Sequence, residues 1–105
     1  MVDMSWKEQI KVRSLNGGPF KPVLLRDGTV VSIQAGGGFY SLPRLDSDDI
    51  KVYTHFEIGF PDAIIPEIME YAENENNPLN TVYCYVPDTV ISKFIERCGG
   101  ILTQL

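Results

Sequence analysis

The segment PVLLRDGTVVSIQ, residues 22–34, commits the chain to antiparallel β structure. Two apolar runs flank Asp27-Gly28, a pair favoured where a tight hairpin needs positive φ. A two-residue loop there sets Arg26 opposite Thr29, Leu25 opposite Val30 and Leu24 opposite Val31. Both faces of the hairpin are apolar near the turn, so cover is expected on both sides over part of its length.

Downstream, Gly36, Gly37 and Gly38 interrupt the second strand. They form either a glycine bulge or bend that lets a helix approach, or a place where a ligand meets bare backbone. FYSLP at 39–43 is read as resuming the strand, and SLPRLDSDD at 41–49 as a loop. IKVYTHFEIGF at 50–60 alternates as a half-exposed strand, with Ile50, Val52, Thr54, Phe56 and Ile58 on one side. Lys51, Tyr53, His55 and Glu57 fall on the other side.

Pro61 and Asp62 are expected to open a helix with Ile64, Ile65, Ile68, Met69 and Ala72 inward and Glu67, Glu70 and Glu73 outward. TVYCYV at 81–86 reads as a strand. If Val82, Cys84 and Val86 are core, Tyr83 and Tyr85 face away from it. Residues 87–100 read as a second amphipathic helix, with Val90, Ile91, Phe94, Ile95 and Cys98 buried and Gly99 at its left-handed terminus. ILTQL closes the chain as an edge strand or a tail. Near the start, SWKE at 5–8 fits a capping box, and NGGP at 16–19 breaks the chain. The expected fold is α+β in a single domain, 1–105. A mostly antiparallel sheet of four to five strands carries two amphipathic helices on one face.

Composition bounds the function. The 105 residues are 44% hydrophobic, enough for one core without metal or disulfides. No apolar run reaches the roughly 20 residues that span a bilayer, and the N-terminus lacks a secretory core, so a cytoplasmic protein is expected. Cys84 and Cys98 have no metal-ligand spacing and read as thiols in an apolar setting. Of the net charge of −5, the span 52–92 carries seven carboxylates and no Lys or Arg. That asymmetry describes either a solvated face or an acidic surface for a basic partner. Direct nucleic-acid binding by a broad basic patch is disfavoured, since phosphate contacts need clustered Lys and Arg. Exposed tyrosines and apolar hairpin faces make a homo-oligomer plausible.

Catalytic patterns are thin. His55 is the one histidine, and its i, i+2 partner Glu57 reads as a surface pair rather than a catalytic dyad. No cofactor or metal is called for, and the chain is read as a non-enzyme. The glycine run lacks the Lys-Ser/Thr of a phosphate loop. As a pocket, Gly36, Gly37 and Gly38 would admit a guest, Phe39 or Tyr40 would stack on a planar ring, and Arg44 would fork onto an anion. Tyr53 and His55 would join from the neighbouring strand. The expected ligand is small, anionic and nucleotide-like. The alternative is an acidic protein-interaction inhibitor that uses the helix around 62–75, with Glu67, Glu70, Glu73 and Glu75 meeting a basic partner.

Taken together, LLRDGTVVSIQA, FEIGFP and TVYCYVPDTVISKFIERCGGI resemble small uncharacterised accessory proteins of phage and prophage type. In these a strand-Val-Pro-helix unit ends in Gly-Gly. The resemblance runs from Leu24 to Ile101. It implies a small protein in the host cytoplasm that inhibits a host factor, such as a defence protein, or sequesters a host signal. It assigns no role to any single residue.

Overall fold

Five antiparallel strands form one sheet in the computed structural model, which describes residues 3–11 and 21–105. In chain order they are β1 (Val23–Leu25), β2 (Val30–Gln34), β3 (His55–Gly59), β4 (Val82–Pro87) and β5 (Ile101–Gln104). Their spatial order is β4-β3-β2-β1-β5. One α-helix, α1 (Asp88–Arg97), leaves β4 at one edge and delivers the chain to β5 at the other. At 1.5 Å per residue its ten residues span about 15 Å, close to the width of the intervening strands. The NGGP segment at 16–19 lies outside the described residues.

The hairpin forms, with its register one residue from the expected one. Val23 pairs with Val31 and Leu24 with Val30. The loop is three residues long, because Gly28 alone takes positive φ (95°) while Asp27 stays in the ordinary region. The Gly28 N–H donates to the Leu25 carbonyl at 3.0 Å, and the Asp27 carboxylate accepts from the Thr29 N–H at 2.9 Å. This is a type I turn closed by a left-handed glycine. Val23, Leu25, Val31 and Ile33 enter the core, while Leu24 and Val30 are half-buried.

Among the described residues one true helix forms rather than two. Residues 61–72 carry only a short 3-10 helix, Pro66–Tyr71. Pro61 and Pro66 explain the loss: each lacks an N–H and drives the preceding residue out of the α region. Ile65 is accordingly extended (φ −110°, ψ 99°). Only Ile65 and Ile68 of the expected stripe are fully buried, and Ile64 points outward. The second expected helix forms, as the shorter Asp88–Arg97, with Val90 of its expected stripe only half-buried. Ile91, Phe94 and Ile95 are buried, and the chain leaves through a Schellman motif. There Gly100 N–H donates to Ile95 O (2.9 Å) and Gly99 N–H to Glu96 O (3.0 Å), with both glycines at positive φ. ILTQL is an edge strand, paired with β1.

Two further segments depart from expectation. SWKE is a 3-10 turn, Ser5–Glu8, with Met4 and not Ser5 at the N-cap position, and the Ser5 N–H donates to the Asp3 carboxylate. Residues 50–52 are another 3-10 turn because Asp49 accepts from the Lys51 N–H, so β3 starts only at His55. Tyr53, expected on the exposed face, is therefore buried. Its ring meets Phe56, its hydroxyl donates to Leu45 O (2.6 Å), and Trp6 packs edge-on against Phe56. Trp6 donates from Nε1 to Ser92 Oγ at 2.7 Å, which ties the N-terminal turn to α1.

Candidate functional site

The side of the sheet opposite α1 carries the polar alternates of the central strands. Ser32, His55, Glu57 and Cys84 are half-buried there. Between Phe56↔Val86 and Ile58↔Tyr83 the pairing slips, so Cys84 and Tyr85 together oppose Glu57. This is a β-bulge, and Tyr85 takes a left-handed conformation (φ 52°). The bulge reverses half of the expected pattern. Tyr83 goes into the core, with its hydroxyl on Pro78 O at 2.6 Å, while Cys84 and Tyr85 turn away from it.

The bulge also turns the Tyr85 N–H out of the ladder, and the glycine loop uses it. After Gln34 the chain leaves β2, crosses the sheet and returns at Leu42, which bridges His55. At the crossing, Tyr85 N–H donates to Tyr40 O (3.1 Å), and Tyr40 N–H donates to Glu57 Oε1 (3.1 Å). The Tyr40 and Tyr85 rings meet at 5.8 Å and 58°. The Arg44 guanidinium stands 5.4 Å over the Tyr40 ring. A three-tiered stack of Arg44, Tyr40 and Tyr85 results, with Arg44 exposed and Tyr40 37% exposed. Arg44 forms no ion pair among the described residues.

The glycines are only partly bare. The Asp46 carboxylate accepts from the Gly37 N–H (2.9 Å), and a Cβ at Gly36 would lie 3.0 Å from Asp46 Oδ1. Ser41 Oγ accepts from the Gly36 N–H and donates towards Gly36 O. Gly36 and Gly37 thus fold over their own loop, and only Gly38 has open space where a side chain would be. Phe39 is half-buried beside Gly36. His55 bonds Thr54 Oγ1 through Nδ1 (2.8 Å) instead of pairing with Glu57. Of the sequence-level site, Tyr40 and Arg44 come together, with His55 at the margin through Leu42. Tyr53 is in the core, and Tyr85 and Glu57 join from outside the residues named for the pocket. An exposed Tyr in TVYCYV was the only signal for Tyr85.

Burial pushes the Glu57 carboxyl above its ordinary value, with repulsion from Glu73 adding and the Tyr40 N–H and Arg44 opposing. Burial, then Glu73 and Glu57, also pushes the Cys84 thiol up, which makes it a poor nucleophile. Of the acidic group named from sequence, Glu67 is already engaged. Arg97 of α1 grips it through two bonds, 2.6 and 2.9 Å, and holds its carboxyl below the usual range. Glu70, Glu73 and Glu75 remain exposed. Cys84 and Cys98 are both free thiols. No helix among the described residues is long and apolar enough to cross a membrane.

Comparison of the chain with protein-family models, with curated proteins and with solved structures finds no match in any of the three.

Proposed function

We propose that the protein is a non-enzymatic binding module whose recognition element is the Arg44–Tyr40–Tyr85 stack, and that its ligand is small, planar and anionic, of nucleotide type. The observation that carries this reading is the Arg44 guanidinium 5.4 Å over the ring of an exposed tyrosine with no described carboxylate paired to it. A fork of donors in that state fits a phosphate, and the aromatic tier below it fits a base. The Tyr85 bulge and the Tyr40 hydrogen bonds fix the stack before any ligand arrives, which lowers the ordering cost of binding. A small accessory protein of phage type that sequesters a host nucleotide signal would need little more than this surface.

The test is thermal melting of the full chain with nucleoside mono-, di- and triphosphates and cyclic dinucleotides. A ligand at a hundredfold excess over its Kd adds about 2.7 kcal/mol of stability. At least one class should raise Tm by several degrees. Arg44→Ala should remove that rise while leaving the free protein's Tm unchanged. A flat response across the panel, or a rise that survives Arg44→Ala, refutes the reading.

A further inference from the structure

At the end of β3 the chain turns through residues 60–65 with apolar side chains on both sides. Pro61 and Ile65 are buried, while Phe60 and Ile64 stand 59% and 60% exposed. Phe60 does so from a left-handed backbone (φ 44°), which a bulky residue rarely adopts. Such strain persists only where the surroundings impose it. Here Phe60 N–H donates to Thr81 O (3.1 Å), and Asp62 holds the start of β2 by two bonds, accepting from Val30 N–H (2.8 Å) and donating to Val30 O (3.1 Å). The Thr81 bond brings the turn beside the loop that carries Leu79, itself 48% exposed. Three large apolar side chains are thus offered to solvent from two loops that this hydrogen bond links, more than scattered surface residues require.

The charge around them selects the occupant. Asp62 sits between Phe60 and Ile64, Glu67 and Glu70 follow, and the whole span 52–92 has no Lys or Arg. Glu67 is committed to Arg97, while Asp62 and Glu70 form no ion pair among the described residues. A second copy would bring an equally acidic patch, and an anionic membrane would be repelled. We infer that Phe60, Ile64 and Leu79 form a docking surface for a segment of a partner protein that presents aliphatic side chains flanked by Lys or Arg. Apolar anchors would supply affinity, and the acidic surround would supply orientation and rate.

The probe is an amphipathic peptide of Leu and Lys, titrated into the isotope-labelled full chain and followed by amide chemical shifts, with a Leu/Glu peptide as control. The expected result is shifts confined to residues 60–64 and 79–81, weakened by salt, with none for the Leu/Glu peptide. Phe60→Asn, which suits the left-handed backbone, and Ile64→Ser should each weaken binding by about tenfold, the loss expected for one uncovered anchor. Unchanged spectra elsewhere show that each variant is folded. Shifts spread over the acidic surface or centred on Tyr40 and Tyr85, equal binding of the Leu/Glu peptide, or self-association abolished by Phe60→Asn would overturn the inference. Because Arg44 takes no part, its variant should leave the peptide titration unchanged, which separates this surface from the nucleotide-type stack.

Discussion

Lys7→Met tests the contact that joins three distant parts of the chain. Lys7 is 9% exposed, and its ammonium donates to Tyr53 O and to Asp88 Oδ2, both at 2.9 Å. It also lies 5.5 Å from the Phe56 ring and 5.8 Å from the Trp6 ring. The N-terminal turn, the approach to β3 and the first turn of α1 meet at this one atom. Methionine keeps an unbranched apolar stem against the two rings, so packing survives and only charge and hydrogen bonding are lost. Each charged hydrogen bond is worth about 1.5–3 kcal/mol. Relief of the buried ammonium returns part of that. Asp88 is also eased by its place in the first turn of α1, by about 0.3–1 kcal/mol. The net loss should be about 2 kcal/mol, or roughly 8–16 °C in Tm at roughly 4–8 °C per kcal/mol. Urea melts of Lys7→Met, Asp88→Asn and the double variant should show a coupling of about 1 kcal/mol or more, with the double variant less destabilised than the two singles combined. Wild-type stability in Lys7→Met, or additive singles, would refute the argument that this pair fastens the N-terminus to the sheet.

The glycine run supplies an internal contrast. Gly36→Ala should destabilise by about 1–2 kcal/mol in denaturant melts, since φ is 147° and the new Cβ lies 3.0 Å from Asp46 Oδ1. Gly38→Ala, with open space and no positive φ, should be neutral or slightly stabilising. Glu57→Gln should raise stability at neutral pH. The native carboxyl holds its proton more tightly than the unfolded one, so its contribution is complete below the ordinary value of 4.5 and is lost as pH rises through the folded value. The gain from the amide should therefore shrink as pH falls towards 4.5, as Tm measured across pH will show; a gain constant with pH would contradict the burial argument.

Local rules carried the elements whose signals are local. The Asp27-Gly28 turn, the alternation of Phe56 and Ile58 and the Gly99 terminus of α1 follow from a few adjacent residues, and each is in place. Errors arose where one residue's conformation reset a phase. Asp27 stayed in the ordinary region, so the hairpin gained a loop residue and its register moved. Asp49 capped a 3-10 turn, so the strand lost its first five residues and Tyr53 entered the core. Two prolines five residues apart removed a helix that apolar spacing alone had supported.

The recognition stack was legible in its parts but not in its assembly. Tyr40 and Arg44 are close in sequence, but Tyr85 lies on β4, on the far side of β3 from the strand the loop leaves. Their meeting requires a loop long enough to cross a strand and a bulge that frees one N–H to receive it. The glycines serve the first need: positive φ at Gly36 and the Asp46 bond to Gly37 turn the loop back over the sheet. The bulge serves the second, and what marks it in the structure is that Tyr83 and Val86 are core residues an odd distance apart on one strand. An ideal period of two forbids that pairing, so the buried pair itself implies a bulge between them, at the point where the loop docks.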